Sequence, residues 1–158
     1  MLVISEQQLQ LCADEDLAFA AIGSVTEKFR GETERVAAGA QAVGIHVEGP
    51  FLNPEQAGAQ QADKMQAVDL GLARELLAAG EGTVRIMTFA PELVRAEELV
   101  ELICEFEAVP SMGHSLASDK QARRAIDAGA HRCTHLFNGM PPLRQREIGL
   151  TAVALTDD

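Results

Sequence analysis

Short apolar runs alternate along the chain with stretches in which apolar residues recur every three or four positions. Leu2 to Ile4 reads as the tail of a strand. Ser5, with Gln8 three residues on, is a capping-box signal, and helical sequence is expected from there to about Ala38, interrupted near Gly23 and Gly31. Ala40 to Val47 reads as a buried strand that ends in Glu48-Gly49-Pro50. Phe51 to Met65 carries Pro, Gly, Asn and Gln without periodicity and reads as a loop. Ala67, Leu70, Ala73, Leu76 and Leu77 then recur at helical spacing. Thr83 to Phe89 alternates like a strand. Pro91 suits the first turn of a helix whose buried face is Leu99, Val100 and Ile103. Ala108 to Met112 makes another strand, ending in Gly113-His114-Ser115. Ser118 and Gln121 form a second capping box, and Gly129 suits the end of that helix. Ala130 to Leu136 is the next strand, carrying His135 at its end. A Pro-rich loop from Met140 to Ile148 leads to Gly149–Leu155, a short helix or strand.

Strand and helix alternate without hairpin signals, which argues for βαβ units and a parallel sheet. Four strands are clear and a fifth stands at the start. A chain of 158 residues suggests one domain. A complete (β/α)₈ barrel takes about 250 residues, so only part of one fits here.

With six Phe and no Trp or Tyr, the core must be built from Leu, Val, Ile and Ala. A net charge of −11 repels phosphate backbones and argues against nucleic acid as a partner. It does not exclude a small phosphorylated ligand, because local arginines outweigh a distant field that salt screens. Cys12, Cys104 and Cys133 are widely spaced and odd in number, as in a protein of reduced thiols. No apolar run approaches the roughly 20 residues that span a bilayer, and the N-terminus lacks a secretory pattern. No membrane partner and a cytoplasmic location are expected.

Candidate chemistry lies at strand ends. Glu48, His114 and His135 each sit at or near the C-terminal end of an expected parallel strand, the edge on which α/β sheets and barrels build their sites. One carboxylate and two imidazoles suit a divalent transition metal and leave a position for water. A metal there lowers the pKa of that water from 15.7 to about 7. Taken singly, each residue has a plainer reading: Glu48 as a loop carboxylate, His114 as a turn cap, His135 as a core histidine. Three together at successive strand ends favour the metal. His46 shares a face with Glu48 but lies deeper and suits packing or support. His131 reads as exposed, and Cys133 as a small buried filler. After His135 come Asn138-Gly139-Met140-Pro141-Pro142 and the basic residues Arg144 and Arg146. A guanidinium suits phosphate; solvated Arg144, or Arg146 paired with Glu147, is the alternative.

These segments resemble the N-acetylglucosamine-6-phosphate deacetylases. Gly44-Ile45-His46-Val47-Glu48-Gly49-Pro50-Phe51-Leu52 is similar to that family's G-x-H-x-E-G-P-F segment. Thr88-Phe89-Ala90-Pro91-Glu92, Gly113-His114-Ser115, Thr134-His135-Leu136-Phe137-Asn138-Gly139-Met140-Pro141 and Arg146-Glu147-Ile148-Gly149-Leu150 follow in order. Each motif is weak alone; the ordered set is specific.

The resemblance implies an α/β fold, part of an amidohydrolase-type (β/α)₈ barrel, with residues 1–158 as a fragment of one metal-dependent barrel domain. It implies a hydrolase that converts N-acetyl-D-glucosamine 6-phosphate to glucosamine 6-phosphate and acetate. Glu48, His114 and His135 would hold a divalent metal, Zn²⁺ foremost, with Fe, Co or Mn as alternatives. Ala59 would line the sugar site, Asn138 and Gly139 would bind substrate, and Arg146 would contact the phosphate. The whole enzyme would be a homo-oligomer. Gly139 stands where Ala is common in the family, and Gln60 where some members have a His. The family's N-terminal sandwich, its first barrel strand with an H-x-H pair, and its last strands are not found. The catalytic Asp would lie beyond residue 158, so this fragment alone is expected to be inactive. The competing reading is a non-catalytic remnant acting as a metal-binding or interaction module. A third is another amidohydrolase, against which the Arg146 block argues.

Overall fold

The computed structural model describes residues 43–157. The strand expected at Leu2–Ile4, the long helical stretch to Ala38 and the first residues of the Ala40 strand lie outside that range. Four strands, β1 (Ile45–Glu48), β2 (Val84–Phe89), β3 (Val109–Met112) and β4 (Arg132–Cys133), alternate with four helices. The helices are α1 (Leu70–Ala79), α2 (Ala96–Glu105), α3 (Asp119–Ala128) and α4 (Leu150–Thr156).

The strands are all parallel and lie in the order β1-β2-β3-β4. Each helix packs on the next. Sequential winding without a reversal is how a barrel is built, whereas a doubly wound sheet reverses its strand order at a switch point. Four βα units wound this way are an arc of such a barrel.

Alternation decides what each face of the sheet meets. Val47, Met87, Phe89 and Met112 pack with Leu76, Leu77, Leu99, Val100 and Ile103 in one core cluster. The opposite face carries His46, Glu48, Thr88 and Ser111. Helix starts follow the side-chain chemistry. Asp69 caps α1 by accepting from the N–H groups of Gly71 and Leu72 at 2.8 and 3.1 Å. In the capping box at α3, the Ser118 N–H donates to Gln121 Oε1 at 2.9 Å.

Two expectations change, and one left open is resolved. Helix α2 begins at Ala96 rather than in a turn opened by Pro91. Residues 91–95 form turns instead, because the Glu92 side chain is held elsewhere and Arg95 takes a left-handed φ of 70°. Strand β4 spans Arg132–Cys133 rather than Ala130–Leu136. It pairs with β3, and His135, at φ 32°, turns the chain out of the sheet. The segment after Gly149 is a helix.

Candidate metal centre

The chain leaves β1 at Glu48, β3 at Gly113 and β4 at Thr134, and the three turns that follow converge. Glu48 Oε1 lies 2.7 Å from His114 Nε2 and 2.9 Å from His135 Nε2. The two Nε2 atoms are 3.1 Å apart. The rings meet edge to face, with centroids 4.8 Å apart at 85°. Both histidines hold left-handed backbone, φ 46° for His114 and 32° for His135. That conformation costs a residue with a β-carbon of order 1–3 kcal/mol, and here it turns both rings toward Glu48.

The outer nitrogens decide what the inner ones can do. His114 Nδ1 lies 2.7 Å from the Gln56 carbonyl, and His135 Nδ1 lies 3.1 Å from the Asn138 carbonyl. A carbonyl only accepts, so each Nδ1 carries its proton outward and leaves the Nε2 lone pair facing Glu48. Two lone pairs and a carboxylate oxygen then converge with no donor among them. Such a set calls for a cation at its centre. These three groups are the cluster of side chains able to hold a metal among the described residues.

Size agrees with that reading. Metal bonds of 2.0–2.1 Å in tetrahedral geometry put ligand atoms about 3.3 Å apart. The observed 2.7–3.1 Å edges would open by a few tenths of an ångström. Without a metal, a proton fills the same role. Burial alone would push the Glu48 carboxyl up, but hydrogen bonds from His114 and His135 outweigh it and bring the group to about 2. Burial likewise works against the charged form of His114. Its bonds to Glu48 and the Gln56 carbonyl prevail and raise its pKa.

Beneath the triad runs a belt of buried hydroxyls. Thr134 Oγ1 lies 2.7 Å from Thr88 Oγ1 and 2.8 Å from Ser111 Oγ, and His46 Nε2 lies 2.7 Å from Thr88 Oγ1. His46 thus supports the site from below. Burial lowers its pKa, with the Glu48 charge acting in the opposite sense. Gly113 fits between these layers because a β-carbon there would stand 3.1 Å from both Thr134 Cβ and Thr88 Cγ2.

No family model matches the chain. A curated relative, the N-acetylglucosamine-6-phosphate deacetylase of Bacillus subtilis, is 38% identical over 120 residues, 76% of this chain and 30% of that protein. The human enzyme of the same name is 36% identical over 121 residues, 75% of this chain and 30% of that protein. The crystal structure of N-acetyl-D-glucosamine-6-phosphate deacetylase from Mycobacterium smegmatis superposes with a TM-score of 0.80 at 40% identity, covering 91% of this chain and 36% of that one. The chain is homologous to a segment of the N-acetylglucosamine-6-phosphate deacetylases. It spans about a third of the length of the relatives it matches. The parallel α/β arc agrees with part of the barrel expected for those deacetylases.

The remaining residues expected at a deacetylase site are distributed unevenly. Asn138 is exposed, and its backbone closes the His135 turn, its N–H donating to the His135 carbonyl at 2.9 Å. The carbonyl of Gly139 is engaged by the Ser115 N–H at 2.9 Å. With φ 61°, Gly139 lies so close that an added β-carbon would stand 3.1 Å from His114 Nδ1. Ala59 is exposed in the loop after β1. Glu147 pairs with Arg144 at 3.0 Å, and no ion pair engages Arg146 among the described residues. No helix among the described residues is long and apolar enough to cross a membrane. Pattern reading missed the Gln56 carbonyl, which nothing in a side-chain pattern announces, and the partners of Glu92. That residue stood in a quoted motif, without a role.

Proposed function

We propose that this chain is the metal-binding arc of a single barrel domain that hydrolyses the N-acetyl group of N-acetylglucosamine 6-phosphate. The observation that carries the reading is the convergence of Glu48 Oε1 with two Nε2 lone pairs whose tautomers are set by outward Nδ1–H bonds. Zn²⁺ is the metal this donor set fits best, with Fe, Co or Mn as alternatives. When bound, the metal supplies a polarised water at neutral pH and a Lewis acid for the acetyl carbonyl. Glu48, His114 and His135 hold it, while the backbone carbonyls of Gln56 and Asn138 keep both rings in the ligating tautomer.

Substrate selection falls to the segment after β4. Asn138 and Gly139 meet the sugar, Ala59 lines the sugar site, and the guanidinium of Arg146 takes the phosphate. The structure of a Mycobacterium smegmatis relative, an aspartate-to-alanine mutant, is in complex with N-acetyl-D-glucosamine-6-phosphate, which supports that substrate class. A relative from Escherichia coli O157:H7, 31% identical, is an N-acetylgalactosamine-6-phosphate deacetylase, so the epimer belongs in any substrate panel. Passing a proton to the leaving amine calls for a general acid beside the three ligands, and we read the whole enzyme as homo-oligomeric and cytoplasmic.

The test is acetate release by the product of the intact reading frame, assayed on both sugar phosphates and on unphosphorylated N-acetylglucosamine. The reading predicts metal-dependent release from a sugar phosphate. Arg146→Ala should raise KM for the phosphorylated sugar roughly 10- to 150-fold, the loss of one charge-assisted contact of about 1.5–3 kcal/mol. Turnover of the unphosphorylated sugar should hardly change. Equal losses on both sugars would make Arg146 structural. Metal binding without turnover on any of them would favour the non-catalytic module.

A further inference from the structure

Strand β2 lies between two ligand-bearing neighbours yet contributes nothing to the triad. Its following turn contributes Glu92, whose carboxylate reaches both neighbouring loops. Oε1 accepts from Asn53 Nδ2 at 2.8 Å and from the Leu116 N–H at 2.6 Å. Oε2 accepts from the Ser115 hydroxyl at 2.7 Å. The two loops also touch each other, because the Asn53 N–H donates to the His114 carbonyl at 3.0 Å. Ser115 extends the connection to the third loop through its N–H, which donates to the Gly139 carbonyl.

We propose that Glu92 is a positioning residue that latches the loops after β1 and β3 together and so holds His114 in its ligating pose. This role rests on the metal reading given above. His114 is flanked by two backbone bonds, from the Gly113 N–H to the Phe89 carbonyl at 3.0 Å and from the Ser115 N–H to the Gly139 carbonyl at 2.9 Å, to which the latch adds side-chain restraint. Its φ of 46° is unfavourable for a residue with a β-carbon, so the turn persists only where its surroundings hold it. Glu92 supplies that restraint on both sides: Ser115 and Leu116 follow His114 directly, and Asn53 binds its carbonyl. Asn53 is itself oriented, since its Oδ1 accepts from the Glu55 N–H at 2.9 Å. Hydrogen bonds to a carboxylate are the stronger kind, and three on one side chain fix its position as well as theirs. Releasing the latch lets Nε2 drift from Glu48 without removing any ligand.

The test uses Co²⁺ as the probe, its affinity read by competition with a chromophoric chelator and its coordination by the visible spectrum. Glu92→Ala should weaken Co²⁺ binding about 10- to 100-fold, the usual effect of losing a group that orients a metal ligand, and should alter the visible bands. Glu92→Gln keeps an oxygen for Asn53 and Leu116 and should recover most of the loss. A general loss of stability would not produce that pattern of spectrum and rescue. Glu98→Ala, which removes an exposed partner of Arg95, should bind as wild type does. Should Glu92→Ala not fold, Asn53→Ala and Ser115→Ala each remove one arm of the latch, and both should weaken Co²⁺ binding. Wild-type affinity and spectrum in Glu92→Ala, or in both single-arm variants, would overturn the proposal while leaving the metal reading intact. A wild-type chain that takes up no Co²⁺ would overturn the metal reading itself, and the latch role with it.

Discussion

His114 Nδ1 and the carbonyl oxygen of Gln56 are 2.7 Å apart, so the imidazole on the β3 turn takes its tautomer from the loop after β1. The acceptor belongs to the backbone, and the side chain of Gln56 plays no part in it. Gln56→Ala should therefore leave metal affinity close to wild type, whereas His114→Ala should abolish tight binding. A chelator competition with both variants separates the two. A large loss in Gln56→Ala would show that the side chain, rather than the carbonyl, sets the ring.

Thr134 is the hub of the belt below the triad, bonded to both Thr88 and Ser111. Thr134→Val keeps the shape, strands the buried Ser111 hydroxyl and leaves the Thr88 hydroxyl with His46 as its partner. That should cost about 1–3 kcal/mol of stability, read from urea unfolding of the metal-free protein. Thr134→Ser retains the oxygen and should recover much of the loss. Equal destabilisation by Val and Ser would assign the effect to packing of the methyl group.

The alternation of strand and helix, the parallel sheet and the strand-end placement of Glu48, His114 and His135 were legible because each rests on a short-range signal. Short apolar runs mark β1 and β3, alternation marks β2, helical spacing marks α1, and the capping box at Ser118 marks the start of α3. The ends of β2 and β4 show where such signals stop. Pro91 is as good a first helical residue as any by local preference, but Glu92 serves two neighbouring loops, and that tertiary demand moves the helix start to Ala96. The segment Ala130–Leu136 reads as a full strand, yet the chain must turn at His135 to bring Nε2 to Glu48. The Gln56 carbonyl and the Glu92 latch stayed hidden for a related reason. Both join segments distant in sequence through atoms whose meeting depends on the finished fold.

Burial pushes the Cys133 thiol up to about 11, and Cys104 is exposed. At pH 8 only about one Cys133 in a thousand carries the reactive thiolate. Peptide mapping after brief iodoacetamide treatment at that pH should find Cys104 alkylated well ahead of Cys133. The lag at Cys133 should shrink as the pH is raised toward 10. Simultaneous labelling at pH 8 would mean that the β4 edge opens readily in solution.

The most direct test of the metal centre is calorimetric titration of the chain with Zn²⁺, wild type beside His135→Ala. The structure predicts saturation near one ion per chain for the wild type, with protons released as metal displaces them from the Glu48–His114–His135 cluster. It predicts loss of that binding in His135→Ala. A wild-type chain that binds no Zn²⁺, or a variant that binds it equally well, would contradict the assignment.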